Sequence, residues 1–402
     1  MNAEWDRPIS YSFEIEFLVA QKRPGVRYVV VVGTTEVPLD LQPWACPAEE
    51  PDPYNAILSR CKDVLVRKCQ SVAICKDPSA REASVELFFP PFSTSTRGSW
   101  RVEPSTTTYA KRCSPPDHEW YGVRVCSPLY PEPELYDENS IVQSIVSTLR
   151  ASLLMHVNST CRFNVRVKPL HTAISLLSAK KMTTLVWIFE KELLRRVAPN
   201  TCGQPYSHVK LLDTSSRIAR TIWHDCGEAS RPEDPLRTAI MERHLPKLDD
   251  KDLDARLQFV WQTRSLEELA TALRTQKGGP AAFSIEYPGN PVEGPTFEFR
   301  YALWHPYGEA DVSNFWIELC LKLLRSTIRN VGNYKGHLEY VLRLISQFSA
   351  NRTAASERWK DLLVTLRFNT ERILLWDNVI EQYQHGRHLA PGQIDKQGFL
   401  GA

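Results

Sequence analysis

The chain has 402 residues and a mass of 46.0 kDa, enough for one elaborate domain or for two or three. Its 43% hydrophobic and 24% charged residues are typical of a globular protein and exclude the disordered and collagen-like classes. The formal net charge of +2 gives no field that favours nucleic acid or membrane, and no apolar stretch of about 18 residues occurs. We therefore expect a cytoplasmic protein with no nucleic-acid partner and no membrane partner.

The first part of the chain is predicted to contain several strands and one helix. β-rich runs at 15–19 and 27–32 flank a turn-forming segment and predict a hairpin. Apolar residues at helical spacing predict a helix over 57–69, with its start at Asp52 and Pro53. Further strands are expected at 85–89, 100–102 and 121–126.

The middle of the chain is predicted to be mainly helical. Apolar periodicity indicates helices over 141–157 and 183–194, and alternation of apolar and polar residues indicates a strand over 163–167. The interval 203–280 is polar and broken by prolines, and it contains a short helical pattern over 265–275. We interpret 203–280 as a helical insertion outside the main sheet.

The last part of the chain is predicted to return to the sheet and then to become helical. Strands are expected over 281–287 and 296–303, helices over 311–384, and a mobile tail over 385–402. Strands that are scattered through the first part and return near residue 300, with helices in separate runs, favour an α+β fold.

Cysteines and paired basic residues give no separate indication of a site. The ten cysteines form no paired C-x-x-C motif of the kind that zinc sites use, so we expect them mainly as small core residues. The neighbouring pair Lys180 and Lys181 is expected on the solvent-exposed side of a helix.

Two pairs of charged residues lie within apolar, strand-like runs. Glu14 and Glu16 are two residues apart, as are Glu298 and Arg300, so each pair leaves one face of its strand. A charged group on a buried strand needs a metal ion, an opposite charge or a ligand. The alternatives are an exposed strand face for the first pair and an internal salt bridge for the second pair.

Four short blocks carry a resemblance to the amidoligase family, which belongs with glutamine synthetase and glutamate-cysteine ligase among the ATP-dependent carboxylate–amine ligases. They are Glu14-Ile-Glu16-Phe-Leu-Val, Gly122-Val-Arg124-Val-Cys-Ser-Pro, Cys161-Arg-Phe-Asn164-Val-Arg166-Val and Thr296-Phe-Glu298-Phe-Arg300. The resemblance implies a glutamine-synthetase-like curved antiparallel sheet that forms a cleft, packed with helices and followed by a helical C-terminal region. It also implies a single catalytic-type domain over 1–384.

The resemblance further implies ATP and Mg²⁺ as cofactors. Glu14 and Glu298 would belong to one metal site, Glu16 to a second, and Arg300 to the phosphate or acyl-phosphate contact. The partners would be a small-molecule carboxylate together with an amine, or a peptide substrate. Oligomeric state is not indicated by the sequence.

This chain departs from the family pattern at several positions of that site. Arg124 stands where the family has a glutamate, and Asn164 and Arg166 stand where it has histidines. Glu103 could replace an expected aspartate only in a different local register. These changes imply a site with one Mg²⁺ ion or none. Asn164, Arg166 and Arg300 are candidate ATP contacts, and Arg124, Arg166 and Arg300 are candidate catalytic residues.

Three interpretations of function remain open from the sequence. The chain could be a ligase with a reduced, single-metal site in which Arg124 or Arg166 replaces the second ion. It could instead be a catalytically disabled relative that binds a nucleotide, an acidic metabolite or another protein. A scaffold whose cleft is filled by salt bridges is the third interpretation. Closed ion pairs of Arg124 and Arg166 with Glu16 and Glu298 would favour the scaffold interpretation.

Overall fold

The chain forms two compact units in the computed structural model. The structure describes residues 7–25, 31–32, 35–36, 43–69, 72–74, 99–112, 114–137, 140–158, 160–197, 209–224, 234–287, 294–303, 311–349 and 358–384. The described residues of Tyr11–Val165, Ala302–Trp316 and Glu381–Ala402 make up the β-rich unit, and those of Met1–Ser10, Arg166–Tyr301 and Ile317–Ile380 make up the helical unit. Each unit is therefore assembled from segments that are far apart in the sequence.

Strands and helices occur mostly in separate runs along the chain. The strands are β1 Ile9–Lys22, β2 Val31–Val32, β3 Thr35–Glu36, β4 Val72–Ile74, β5 Trp100–Pro104, β6 His118–Cys126, β7 Tyr130–Pro131, β8 Met155–His156, β9 Arg162–Pro169, β10 Phe283–Glu286 and β11 Thr296–Leu303. The helices are α1 Pro53–Val66, α2 Ile141–Ser152, α3 Leu176–Phe189, α4 Arg195–Val197, α5 Leu212–Ser215, α6 Arg217–His224, α7 Pro235–His244, α8 Lys251–Gln262, α9 Leu266–Leu273, α10 Asp311–Ile328, α11 Val331–Ser349, α12 Arg358–Thr365 and α13 Thr370–Gln384.

The sheet of the β-rich unit is built around β1. Its strand order is β9-β1-β6-β5-β4, and the short strands β7 and β8 also pair with β1. β6 is antiparallel to both of its neighbours, so that Arg124 lies opposite Glu16 of β1 and opposite Glu103 of β5. Almost every residue of β1 is buried, including Glu14 and Glu16. An exposed strand face is therefore excluded for this pair.

Two expectations about these strands were wrong. The sheet is mixed rather than antiparallel throughout, because β4 and β5 are parallel. A parallel pair needs a long crossover connection, and the chain between Ile74 and Trp100 is long enough to make one. The hairpin predicted over 15–32 is also absent from the described residues, since Val31–Val32 pairs with Thr35–Glu36 and β1 pairs with β6. Residues 26–30 and the strand predicted at 85–89 lie outside the described ranges.

The helical unit contains a smaller part of the sheet, in the order β10-β11-β9. β10 and β11 are antiparallel, with Ser284 opposite Glu298, and β11 has the bounds that the sequence predicts. Phe283 packs on Phe297 and Phe299 at ring-centroid distances of 5.9 Å and 5.2 Å. Helices α5 to α9 occupy the described part of the predicted insertion, and α10 to α13 confirm the helical C-terminal region.

Local sequence signals account for several helix starts. Asp52 caps α1 by accepting a hydrogen bond from the Asn55 N–H at 3.1 Å, and Ser265 caps α9 through the Glu268 N–H at 3.1 Å, as N-cap side chains do. α2 ends at Ser152 instead of reaching residue 157. The reason is tertiary, because the following residues form β8 and pair with β1.

The prediction of a solvent-exposed Lys180 and Lys181 was wrong. Every residue of α3 from Ala179 to Phe189 is buried, which is the pattern of a helix surrounded by protein. The Lys180 ammonium donates to the carbonyls of Trp261 and Thr263 at 2.5 Å and 2.8 Å. The Lys181 ammonium donates to the main-chain carbonyls of Thr327 and Arg329 at the end of α10. The two lysines thus satisfy the C-terminal ends of two neighbouring helices.

The structure agrees with the predicted fold class and leaves the finer expectations as predictions. The architecture is mixed α/β with an open mixed sheet, consistent with the α+β prediction, while the glutamine-synthetase-like curvature, the cleft and the single domain over 1–384 stay predictions. The tail predicted over 385–402 lies outside the described residues. None of the described helices has both the length and the apolarity of a membrane span. Cytoplasmic location, partners and oligomeric state stay predictions.

Candidate functional site

One arginine lies among three buried carboxylates in the β-rich unit, and we call this group the Arg124 cluster. The Arg124 guanidinium is 2.7 Å from Glu16 Oε1, 3.3 Å from Glu14 Oε1 and 3.8 Å from Glu103 Oε2. Glu14, Glu16 and Glu103 are 3%, 1% and 0% exposed. The antiparallel register of β6 with β1 and β5 creates this grouping, because it places an acid opposite Arg124 on each neighbouring strand.

Glu16 has an uneven hydrogen-bond environment. Its Oε1 accepts hydrogen bonds from Arg124 Nε at 3.0 Å and Nη2 at 2.7 Å, from Thr107 Oγ1 at 2.9 Å and from Ser105 Oγ at 3.1 Å. Its Oε2 is buried and has no hydrogen-bond partner among the described residues. The carboxylate is thus held firmly through one oxygen, while the second oxygen is left to accept a further contact.

Close approach of a loop supplies the two hydroxyl groups. Residues Ser105–Thr108 pass over β6 at Gly122, where a Cβ atom would lie 2.1 Å from the Thr108 carbonyl oxygen and 2.6 Å from that of Ser105. Any side chain at this position would displace the loop. Gly122 therefore allows Ser105 and Thr107 to reach Glu16.

Glu14 is the second acid of β1 and contacts three neighbouring side chains. Its Oε1 accepts a hydrogen bond from Asn164 Nδ2 at 3.0 Å and lies 3.3 Å from Arg124. Its Oε2 accepts a weak hydrogen bond from the Cys126 thiol at 3.6 Å, and the same thiol is 3.9 Å from Glu103 Oε1. Asn164 Oδ1 is buried and has no hydrogen-bond partner among the described residues. Glu16 Oε2 and Asn164 Oδ1 are the acceptors that this arrangement leaves unsatisfied.

The carboxylates of the Arg124 cluster stabilise the charged form of Arg124. Burial acts to lower the pKa of Arg124, but the negative charges of Glu14 and Glu16 outweigh this effect and raise that pKa above its ordinary value. Arg124 is therefore a permanent cation in the middle of the cluster. The position that the resemblance assigns to a metal-binding glutamate instead carries a fixed positive charge.

The helical unit contains a second charged group, the Glu298 cluster, with the opposite composition. Glu298 is fully buried, and each of its oxygens contacts one arginine. Arg166 Nε and Nη2 both lie 2.9 Å from Oε1, and Arg300 Nε and Nη2 lie 3.0 Å and 2.6 Å from Oε2. The two arginine side chains are 23% and 20% exposed. One carboxylate thus orients two guanidinium groups that reach the surface of this unit.

A third buried carboxylate, Glu190, lies in a π-helical turn that continues α3, a feature that often marks a functional position. It accepts hydrogen bonds from the backbone N–H groups of Leu212 and Asp213 at 2.8 Å and 2.9 Å and from the Tyr301 hydroxyl at 2.5 Å. Burial and, next, the charge of Asp213 raise the pKa of Glu190 to about 7. Its role in the structure is to join α5 and β11 to the end of α3.

The structure brings together some of the predicted site residues and adds others. Glu14, Glu16, Arg124 and Asn164 meet in the Arg124 cluster, and Arg166, Glu298 and Arg300 meet in the Glu298 cluster. The metal site predicted on Glu14 and Glu298 would combine residues of two different units, and it stays a prediction. The sequence prediction missed the contributions of Ser105, Thr107 and Cys126 and left Glu103 uncertain. The tryptophan-led segment after Trp100 was the available signal, because it places an acid and two hydroxyl residues in one strand and loop.

No protein-family model, no curated protein and no solved structure matches this chain. The amidoligase resemblance therefore depends on the four short blocks alone.

The residues of the Arg124 cluster do not fit a pair of Mg²⁺ ions. Magnesium prefers oxygen ligands, and Glu16 Oε2 and Asn164 Oδ1 are two such oxygens. Arg124 would repel a dication about 4 Å away by roughly 8 kcal/mol at an effective dielectric constant of about 20, whereas the three carboxylates would attract it. One arginine and three carboxylates carry a formal net charge of −2, which offsets one dication but not two. Within the described ranges, no group of three or more His, Cys, Asp or Glu side chains has the arrangement of a metal site.

Proposed function

We propose that this chain is a catalytically disabled relative of the ATP-dependent carboxylate–amine ligases and binds a small anionic ligand, such as a nucleotide or an acidic metabolite. The observation that carries the proposal is the set of contacts that Arg124 makes with Glu16, Glu14 and Glu103 at 2.7 Å, 3.3 Å and 3.8 Å. In the resemblance, Glu14 and Glu16 are metal ligands. Here one unit of their negative charge is compensated by a side chain of the protein itself, Arg124.

The loss of a metal pair removes the main source of phosphoryl-transfer chemistry. Metal ions in such reactions neutralise the charge that develops on the transferring phosphoryl group. An arginine that is already paired with three buried carboxylates cannot supply the same charge to a substrate, because moving it would leave those carboxylates uncompensated. We therefore expect the chain to bind its ligand without catalysing phosphoryl transfer.

The Glu298 cluster supports the binding part of the proposal. Two guanidinium groups held on opposite oxygens of one carboxylate carry a net charge of +1 and keep a fixed orientation. Guanidinium groups bind phosphate and carboxylate oxygens through paired, planar hydrogen bonds. Arg166 and Arg300 are partly exposed and are the residues that we assign to the anion contact.

The test is calorimetric titration of the full chain with ATP, once with Mg²⁺ and once with EDTA, followed by a phosphate-release assay over a panel of acids and amines. We expect saturable ATP binding of similar strength in both titrations and no phosphate release above the protein-free control. Absence of ATP binding would contradict the nucleotide version of the proposal. Phosphate release that requires both an acid and an amine would contradict catalytic inactivity.

Variants locate the binding and test the loss of the metal site. Arg300→Met should weaken ATP binding at least tenfold, whereas the control Arg274→Met, which removes a partly exposed ion pair with Glu286 at 3.6 Å, should leave it unchanged. The triple variant Arg124→Glu, Asn164→His and Arg166→His should make nucleotide binding stronger in Mg²⁺ than in EDTA. Unchanged or weaker binding in Mg²⁺ would count against the alignment with the family.

A second candidate function is an active ligase with a single metal ion. The observation that favours it is the third carboxylate, Glu103, together with the unpartnered Glu16 Oε2 and Asn164 Oδ1. In that case phosphate release should depend on Mg²⁺ and should fall in Glu103→Gln. Lack of release in the parent protein under all substrate pairs would exclude this candidate for the substrates tested.

A further inference from the structure

Two neighbouring side chains of the helical unit each bury a nitrogen atom that has no hydrogen-bond partner. Trp187 lies in α3 and is 5% exposed, and Arg256 lies in the middle of α8 and is partly exposed. Among the described residues, neither Trp187 Nε1 nor Arg256 Nε has a hydrogen-bond partner. We call these two residues the Trp187–Arg256 pair.

A direct contact joins the two side chains. The guanidinium carbon of Arg256 lies 6.0 Å from the centroid of the Trp187 ring, which is the distance of a cation–π interaction. Two hydrogen bonds also fix α8 against α3, because Trp261 Nε1 donates to Thr184 Oγ1 at 3.0 Å and the Lys180 ammonium donates to the Trp261 carbonyl at 2.5 Å. The packing of the two helices therefore holds the pair in place.

Arg256 has no acidic partner. Asp252 lies four residues earlier in α8, which is the spacing of a helical ion pair, but Arg256 forms no ion pair with any described residue. Arg237 of α7 differs, since it lies 3.3 Å from Asp234 and donates to the Gln262 carbonyl at 3.0 Å. The positive charge of Arg256 is thus held over an indole ring without a compensating carboxylate.

The chemistry of the two nitrogen atoms restricts the ligand that could satisfy them. Indole N–H and guanidinium N–H groups donate hydrogen bonds and accept none, and a buried donor without an acceptor is costly. The ligand must therefore offer acceptor oxygens, and the charge of Arg256 favours an anion. A carboxylate matches one guanidinium in charge and in paired hydrogen bonds, whereas a doubly charged phosphate would keep one unit of negative charge uncompensated.

We propose that the Trp187–Arg256 pair binds the carboxylate group of a small organic acid. Arg256 donates to the carboxylate through Nε and one terminal nitrogen, and Trp187 Nε1 donates to one of the same two oxygens. Hydrogen bonds of about 3 Å from each donor allow one carboxylate to bridge two groups whose centres are 6.0 Å apart. The partly exposed Arg256 gives the acid access from solvent. The pair shares no residue with the Arg124 cluster or the Glu298 cluster, so this inference does not depend on the proposed function.

The test is NMR of the ¹⁵N-labelled full chain, in which the indole N–H of Trp187 and the Nε–H of Arg256 are observed directly. Each signal is assigned by its loss in Trp187→Phe or Arg256→Met. Acetate is titrated at constant ionic strength against chloride, and inorganic phosphate is titrated in the same way. We expect both signals to shift with one saturable acetate dependence, the indole proton to higher frequency, and phosphate to act at least tenfold more weakly.

The titration of the parent protein decides the proposal without any variant. Signals that do not move with acetate, or that move without saturation, would show that the two side chains only pack against each other. Equal shifts with acetate and phosphate would overturn the assignment to a carboxylate.

Variants locate the binding. Arg256→Met keeps a long apolar side chain over the Trp187 ring, and it should weaken the acetate response of the Trp187 indole at least tenfold. Trp187→Phe keeps an aromatic ring but removes the N–H donor, and it should weaken the acetate response of Arg256 three-fold or more. An unchanged affinity for acetate in both variants would contradict the site.

Arg60→Met is the matched control in the β-rich unit. The Arg60 guanidinium lies 5.8 Å from the centroid of the Trp44 ring, and Arg60 Nε is likewise buried without a hydrogen-bond partner among the described residues. Trp44 adds no second buried donor of this kind. Arg60→Met should therefore keep the acetate response of Trp187, and an equal loss in Arg60→Met and Arg256→Met would overturn the proposal.

The failure of this site and the failure of the proposed function give different results. Arg256→Met should bind ATP as the parent does, and Arg300→Met should keep the acetate response of Trp187. Loss of ATP binding in Arg300→Met without an acetate response in the parent would support the proposed function and overturn the carboxylate site. An acetate response that disappears in Arg256→Met, in a chain that does not bind ATP, would support the carboxylate site alone.

Discussion

The Arg124 cluster and the Glu298 cluster both pair buried charges with opposite charges, but their compositions are reversed. In the β-rich unit, one arginine is shared by three buried carboxylates at 2.7 Å, 3.3 Å and 3.8 Å. In the helical unit, one fully buried carboxylate is shared by two arginines whose closest contacts are 2.9 Å and 2.6 Å. Arg124 and Glu298 are the central charges of the two clusters. Removal of Arg124 leaves three carboxylates without their shared cation, and removal of Glu298 leaves two arginines without their shared anion.

The difference in exposure separates the roles of the two clusters. The acids of the Arg124 cluster are at most 3% exposed, so water cannot solvate their charges and groups inside the protein must compensate them. The arginines of the Glu298 cluster are 20% and 23% exposed, so part of each guanidinium meets solvent or a ligand. The first cluster thus compensates charge inside the protein, and the partial exposure of the second cluster supports the anion binding that we propose for it.

Removal of the central cation should give the largest effect. Arg124→Met leaves Glu14, Glu16 and Glu103 without the guanidinium that they share, and we expect a loss of about 4 kcal/mol in the free energy of unfolding at pH 7. Denaturant titration measures this change.

Arg101→Met is the control for this prediction. Arg101 lies on the neighbouring strand, 3.7 Å from Glu103, and its side chain is 44% exposed. Its removal should cost less than about 1 kcal/mol, as for other exposed ion pairs. Equal losses in the two variants would show that burial does not distinguish the Arg124 cluster.

Removal of the central anion should have a smaller effect. Glu298→Gln leaves Arg166 and Arg300 without their shared charge, but both guanidinium groups can turn toward water, so we expect a loss of about 2 kcal/mol in the free energy of unfolding. Glu286→Gln removes an ion pair with Arg274 that is 3.6 Å long and partly exposed, and it should cost under about 1 kcal/mol. A larger loss in Glu298→Gln than in Arg124→Met would reverse the comparison between the clusters.

Glu190 extends the comparison to a buried carboxylate that is held by uncharged donors. Its pKa is raised from 4.5 to about 7, so between these values the folded protein binds more protons than the unfolded chain does. Stability from this group is present below about pH 4.5 and is lost as the pH rises through about 7, by roughly 3 kcal/mol in total. Denaturation between pH 4.5 and 8 should show this decline in the parent protein and a flatter profile in Glu190→Gln. The same slope in both proteins would assign the effect to another group.

Much of the secondary structure was predictable because its signals are local. Asp52 and Pro53 mark the start of α1, Ser265 marks the start of α9, and the β11 pattern gives its bounds. The end of α2 was not predictable, since pairing of β8 with β1 competes with helix propagation. The burial of Lys180 was missed for a similar reason, because its ammonium is satisfied by carbonyl groups about 80 residues away in the chain.

The candidate site was predictable only as a set of residues. The i, i+2 spacing of Glu14 and Glu16 and the unusual Arg124 were visible in the sequence, and they do meet. The arrival of Glu103 was not visible, because it depends on the register of β5 against β6, and a shift by one residue would turn its side chain to the other face. The hydroxyl groups of Ser105 and Thr107 reach Glu16 only because the loop can approach Gly122.

The sequence by itself determined which residues are strand or helix over most of the chain, and it determined that charged groups stand inside apolar strands. Those properties depend on periodicity and on capping residues, which act over a few positions. The tertiary structure alone decided that Arg124 is surrounded by three acids and that Glu298 holds two arginines. Charges interact through space, so their balance is set by strand register and burial, which bring together residues from distant parts of the chain.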